Sequence, residues 1–400
     1  MDFNDQERTI IQRIYPIVNN EDLLEFRIPA NVKANLCLSN VMLRFVVKIP
    51  QVNGETIIPE NLLGAKQFSS LEIRINGDAV SRRSCANEYY LGAYFQYITN
   101  FSADYACTSC MTFGIFDTYQ ISTTDFTSQK TLVEQEIVPG RKGINDDYTY
   151  EIIMPIESSI FSCNQNLPTN TPIDISFERL NSKFSTIFNK SDIDISDFPK
   201  YITLEDPYLV VPFTNDIDLQ QLEKQAISRP IKLKFDDYVI NRFNIPKDGP
   251  NIRLSNIISG PLPDKLFWGI MNLSAFAGSH TLSSCHFKRF GMTKCTLYLN
   301  GNAMSGFPIV TSENAVSMPY TRFLKNTNRY MNCYSSQTMD PRDFKNYHFI
   351  NSANLESDIS GSLSFDLDFD KTPTEDLVLI TCGFFERTME IDNFRNFKLL

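Results

Sequence analysis

No stretch of this chain stays apolar for longer than a β-strand. The longest runs, such as Leu377 to Ile380 and Val41 to Val47, fall well short of the roughly 18 residues that span a bilayer as a helix. The opening MDFNDQERTII is polar and acidic, whereas a secretory signal needs a basic start followed by an apolar run. The expectation is a soluble protein made in the cytosol. Basic charge is also scarce: 37 Lys and Arg face 47 Asp and Glu, giving a net charge of -10 and a pI near 5.0. Neutralising phosphates takes clustered cations, so direct sequence-specific binding of nucleic acid is not expected. Arg82-Arg83, Arg141-Lys142 and Lys288-Arg289 are short basic pairs that read as solvated surface.

Residues that carry chemistry are few. Nine cysteines lack regular spacing, which argues against a disulfide framework in a reducing compartment. Cys107 and Cys110 form a C-x-x-C, but no second such pair follows and the nearest histidine in sequence is His280; a structural zinc needs four ligands. The other histidines are His286 and His348, and all three read as surface or hydrogen-bonded side chains rather than metal ligands. Phosphate-binding, dinucleotide, zinc-protease and nucleophile-elbow motifs are absent. Asp146-Asp147, Asp236-Asp237, and Asp366 with Asp368 could in principle form a carboxylate dyad, but nothing distinguishes one pair. Asp366 and Asp368 share a strand face opposite an apolar set, as solvated residues do. The expectation is no catalytic residue, no cofactor, no metal and no enzyme.

What the sequence does contain is two-residue periodicity. Leu24-Phe26-Ile28, Val41-Leu43-Phe45-Val47-Ile49, Tyr150-Ile152-Met154-Ile156 and Ile173-Ile175-Phe177 alternate with largely polar neighbours in the first half. Ile231-Leu233-Phe235, Trp268-Ile270, Cys295-Leu297-Leu299 and Leu363-Phe365-Leu367-Phe369 do so in the second. Such alternation marks strands with one buried face. LEIRINGDAVS (Leu71 to Ser81) and CTLYLNGNAMS (Cys295 to Ser305) each read as a strand, an Asn-Gly hairpin turn and a returning strand. Their turns, at Asn76 and Asn300, lie just over half a chain apart, the separation expected of a duplicated domain. At 400 residues the chain suits two domains of roughly 200 residues. We place the first at 1–215, a linker at 216–229 and the second at 230–400.

Helical signals are limited to Asn87 to Thr99, with Tyr90, Tyr94 and Tyr97 on one face, and to Asp216 to Gln225 at the junction. Asn181 to Lys200 and Lys325 to Phe344 read as long polar loops that cover a surface or mediate contact.

LEFRIPANVKANLCLSNVMLRFVVKI (Leu24 to Ile49), LLGAKQFSSLEIRINGDAVS and EYYLGAYFQYITNF resemble the first half of the double jelly-roll major capsid proteins of Polinton or Maverick elements and adintoviruses. PIKLKFDDYVINRFNIP and the stretch from Gly260 to Pro308 resemble the second half. The order and spacing agree over most of the chain. Two departures bear on lineage: Ser284-Cys285-His286-Phe287 stands where the family often has Asn-Pro-Phe-x-Phe, and the tyrosine-rich helix lacks the usual Arg. The resemblance implies an all-β fold of two tandem eight-stranded jelly rolls with a few short helices and long loops. It also implies self-association as a pseudo-hexameric homotrimer that tiles an icosahedral shell around double-stranded DNA. The partners it implies are neighbouring trimers, penton and other minor capsid proteins, with assembly in the nucleus; it carries no statement on membrane contact. The alternative from another class is a carbohydrate-binding or glycosidase-like β-sandwich protein.

Overall fold

The computed structural model describes residues 9–30, 34–50, 57–80, 87–100, 141–142, 148–163, 166–167, 171–188, 198–214, 230–312, 315–330, 339, 341–355, 360–392 and 397–399. The Cys107/Cys110 pair, Arg82-Arg83, Asp146-Asp147, the expected linker and the expected helix at 216–225 lie outside the described residues.

The first half is a sandwich of eight main strands: β1 (Ile10–Ile14), β2 (Leu23–Ile28), β3 (Met42–Ile49), β4 (Phe68–Ile75), β5 (Asp78–Ala79), β6 (Tyr148–Pro155), β7 (Ile173–Arg179) and β8 (Thr203–Thr214). One sheet runs β1-β8-β3-β6 and the other β2-β7-β4-β5, all antiparallel. The second half repeats the scheme with β9 (Ile231–Ile245), β10 (Asn251–Pro261), β11 (Lys265–Asn272), β12 (Met292–Leu299), β13 (Asn302–Ala303), β14 (Ile350–Asn354), β15 (Ser360–Phe369) and β16 (Leu377–Ile391). Its sheets run β9-β16-β11-β14 and β10-β15-β12-β13. Adding eight to each strand number converts one half into the other. This is the jelly-roll order, written twice, and every strand pairing among the described residues stays within one half.

The Asn-Gly turns sit at equivalent places, joining β4 to β5 and β12 to β13. Both residues of each turn take positive φ, +53° and +91° at Asn76-Gly77 and +50° and +83° at Asn300-Gly301. Two such residues in a row twist a two-residue hairpin to match its strands.

Alternation predicts burial well where one sheet face meets the core. Leu43, Phe45, Val47 and Ile49 on β3, Ile173, Ile175 and Phe177 on β7, and Leu363, Phe365 and Leu367 on β15 are fully buried. Asp366 and Asp368, on the outer face of β15, pair with Arg253 and Lys294. Two strands depart from the rule. On β11, Leu266, Phe267, Trp268, Ile270 and Met271 are all buried, because Trp268 packs on Phe365 inside the second roll while Phe267 meets Phe323 outside it. On β9 the buried positions change phase, from Leu233 and Phe235 to Tyr238 and Ile240, with continuous pairing to β16. Both strands have a second neighbour that one-sided periodicity does not anticipate.

Helix α1 (Glu88–Asn100) forms where it is expected, but it has no solvent-facing side of any breadth. Tyr89, Tyr90, Leu91, Gly92, Ala93, Tyr94, Phe95, Tyr97 and Ile98 are all buried. The other α-helices among the described residues are α2 (Leu273–Phe276), α3 (Ser317–Asn326) and α4 (Pro341–Asn346). The two expected polar loops are only partly loops. Thr186–Phe188 is a buried strand paired with Ile57–Pro59, and the stretch from Lys325 begins in the last turn of α3 and ends in α4.

Candidate functional site at the seam between the rolls

The two rolls meet along a buried seam built from the long connections: Ile57–Gln67 and α1 of the first roll, and 273–291 with 341–349 of the second. Three of its layers rest on particular side chains.

The innermost is ionic. Lys66 Nζ lies 2.8 Å from Glu60 Oε1, with side chains 0% and 1% exposed. The same carboxylate oxygen accepts hydrogen bonds from the Ser283 hydroxyl and, at 3.1 Å, from the Ser284 N–H. One oxygen of a first-roll carboxylate is thus held jointly by a cation of its own roll and two donors of the other. Burial of a charge on this scale is tolerated only when partners of this kind replace water.

The second layer is aromatic. Tyr94 of α1 stacks on Phe287 at 5.2 Å and bonds through its hydroxyl to His348 Nδ1 at 2.9 Å. Gly92 of α1 lies so close to Tyr238 that an added Cβ would fall 2.3 Å from its ring. Gly278, at φ +89°, holds a similar approach, where a Cβ would fall 2.6 Å from the Phe184 ring. At the end of the helix, Arg329 of the second roll donates to the Ile98 carbonyl at 3.0 Å, satisfying one of the orphan acceptors of a helix C-terminus.

The third layer holds the histidines. His286 and His348 are buried and His280 is half-buried. His280 stacks on Phe188 of the first roll at 4.1 Å, and its Nδ1 lies 3.0 Å from the Thr186 hydroxyl. His286 Nε2 meets the Asn346 carbonyl at 2.8 Å. Burial pushes His286 down to about 4, against the raising effect of that carbonyl, and pushes His348 down to about 3 with His286 adding to the effect. Burial lowers His280 as well.

Cys285, His348 and Glu60 offer on paper the residue types of a thiol nucleophile, a base and a carboxylate. Burial pushes the Cys285 thiol up to about 12, with Glu60 adding to it and Lys66 opposing it. A thiol held protonated beside histidines whose burial disfavours taking up a proton supplies neither a nucleophile nor a strong base. Glu60 is committed to Lys66 and the two serines. The contacts of these side chains join the two rolls across the seam. Among the described residues no group of three or more His, Cys, Asp or Glu side chains is arranged to hold a metal ion. Asp236 and Asp237 do not form a dyad: Asp237 pairs with Arg387 at 2.7 Å and bonds the Ser159 hydroxyl across the seam.

Compared with solved structures, the chain aligns over its whole length with a chain of the PBCV-1 virus capsid, covering 98% of that chain at 10% identity and a TM-score of 0.55. A chain of the Sputnik virophage aligns over 98% of this chain and 88% of its own at 11% identity, with a TM-score of 0.61. The mavirus major capsid protein aligns over 98% and 90% at 9% identity, with a TM-score of 0.55. The fold is the double jelly roll. No family model and no curated protein matches the sequence. The likeness therefore resides in the order of strands and the joining of two rolls, which tolerate nearly complete exchange of side chains as long as inward positions stay apolar.

Sequence reasoning did not find Glu60, Lys66, Ser283 or Ser284. One signal was available: Lys66 is a lone charge within LLGAKQF (Leu62 to Phe68), and a charge inside an apolar run needs either solvent or a partner.

Proposed function

We propose that this chain is a viral major capsid protein of the Polinton, Maverick and adintovirus type, acting by self-assembly. Three copies form a pseudo-hexameric block of six rolls, and blocks tile an icosahedral shell around double-stranded DNA. The domains are 1–215 and 230–400, joined by 216–229. Penton and other minor capsid proteins complete the shell, and assembly takes place in the nucleus of the host. A net charge of -10 leaves genome condensation to other, basic proteins.

The observation that carries this reading is the pair of rolls with identical strand order, fixed together through a seam that includes a buried ion pair. Two equivalent units held at one angle are what a three-chain ring needs to approximate sixfold symmetry. The fold match to the mavirus major capsid protein over nearly all of both chains supports it. Light scattering on a size-exclusion column should report about three times the 45.9 kDa chain mass, and negative-stain images should show hexagonal blocks. A folded, β-rich monomer or dimer at micromolar concentration would overturn the proposal.

A further inference from the structure

The two rolls treat one equivalent edge differently. In the second roll the outer edge of β9 is covered by the segment that follows β6 of the first roll. Cys163 Sγ donates to the Lys234 carbonyl at 3.4 Å, the Ser159 hydroxyl bonds Asp237, and the Tyr238 hydroxyl donates to the Glu157 carbonyl at 3.4 Å. Phe235 is left 7% exposed, and Ile160 and Phe161 of the covering segment are 3% and 4% exposed.

In the first roll the counterpart is β1. Its inner side pairs with β8, and among the described residues no strand pairs with its outer side. Met42 opens β3 opposite Val210, and Val210 faces Arg13; Lys265 opens β11 opposite Phe384, and Phe384 faces Tyr238. Matching these pairs sets Arg13 on Tyr238 and Ile10 on Phe235. Yet Ile10 is 53% exposed and Ile11 67%, with Tyr15 at 63% and Ile17 at 62% just beyond. An apolar strand edge open to water is a template for pairing that soluble proteins normally cover or charge.

The second roll carries the complementary feature. At the end where β14 finishes, equivalent to the end of β6 in the first roll, Leu262, Leu299, Met304 and Leu355 line an open pocket of about 510 Å³. Among the described residues, each chain therefore presents a bare edge on its first roll and an open apolar pocket on its second. Within the chain, the same pair of positions is already engaged between the first roll and β9.

We propose that the β1 edge, through Ile10 and Ile11, docks on the second roll of another copy of this chain beside the pocket lined by Leu262, Leu299, Met304 and Leu355. This rests on the trimer reading above and names the surface that would close the ring. The contact is head-to-tail, the kind that builds a ring when its rotation closes, and a ring of three chains is what the trimer reading requires of it. A partner of different sequence would have to imitate the segment after β6, whereas a second copy supplies the equivalent end of its second roll.

The test uses the full-length chain in two forms. The double variant Ile10→Glu, Ile11→Glu alters side chains exposed in the single chain, so circular dichroism and Trp268 emission should stay unchanged while the mass by light scattering falls about threefold, from trimer to single chain. Separately, p-benzoylphenylalanine replaces Ile11, isotopically heavy and light chains are co-assembled, and irradiation is followed by mass spectrometry. Cross-links between heavy and light chains should map to 262–305 or 354–355. A double variant that remains trimeric, or cross-links confined to one chain or mapping elsewhere, would overturn the inference and leave a wild-type trimer intact. A wild-type chain that is monomeric by mass would defeat the trimer reading itself and this contact with it.

Discussion

Replacing Lys66 by Met tests whether the seam interlocks the rolls. Methionine keeps most of the aliphatic stem and removes the charge, leaving the Glu60 carboxylate at 1% exposure with only the Ser283 hydroxyl and the Ser284 N–H. Breaking a buried pair by removing one partner costs about 3–5 kcal/mol, since the remaining charge has lost its compensation. That sum is a large part of the stability of an ordinary domain. Adding Glu60→Gln on the Lys66→Met background removes the stranded charge and keeps an oxygen for both donors, so it should recover about 2 kcal/mol or more. Urea unfolding gives two readouts. Trp268 is the single tryptophan, 1% exposed in the second roll, and reports that roll; far-ultraviolet dichroism reports both. The single variant should lower both midpoints and the double variant should restore them. As a control, Lys234→Met removes one member of a pair whose side chains are 70% and 61% exposed and should leave the midpoints in place, because water already solvates both charges. The reasoning is refuted if Lys66→Met costs less than about 1 kcal/mol, or if the double variant is no more stable than the single.

Two further outcomes follow from the seam. Gly92→Ala should destabilise by about 1–3 kcal/mol, as overpacking does, even though alanine favours a helix over glycine by about 1 kcal/mol; in a Tyr238→Leu background, where the opposing ring is gone, the same change should become neutral or stabilising in urea unfolding. His348 is held down at about 3 against an ordinary value of 6.5, so the unfolded chain binds its proton first as pH falls. Its neutral state costs nothing above about pH 6.5; below that the wild type loses about 1.4 kcal/mol per pH unit from this ring, or about 3 kcal/mol by pH 4.5. His348→Asn, which keeps an acceptor for Tyr94, should flatten the decline in stability between pH 6.5 and 4.5 by that amount relative to wild type; parallel declines would show that His348 does not titrate as its burial requires.

Much of the architecture is written locally and so could be read from the sequence. Alternation along β3, β7 and β15 marks the buried face because successive strand side chains point to opposite sides, whatever lies across the core. The Asn-Gly pairs mark their hairpins because the positive φ they adopt is a property of those residues. From these two local rules came two sandwiches and their equivalence. The seam obeys neither rule. Whether Lys66 is a surface lysine or a buried cation depends on Glu60 finding Ser283 and Ser284 from the other half of the chain. Whether the tyrosines of α1 line one face or surround the helix depends on a second roll arriving at its far side. The change of phase on β9 has the same origin, a neighbour supplied by the other roll, while the double burial of β11 comes from α3 of its own roll, distant in sequence. Even the bare edge of β1 was invisible as such, because the sequence of a strand does not say which of its two sides a neighbour will occupy. Burial on a first face is fixed by local geometry; burial on a second is fixed by what the rest of the chain brings to it, and only the tertiary structure decides that.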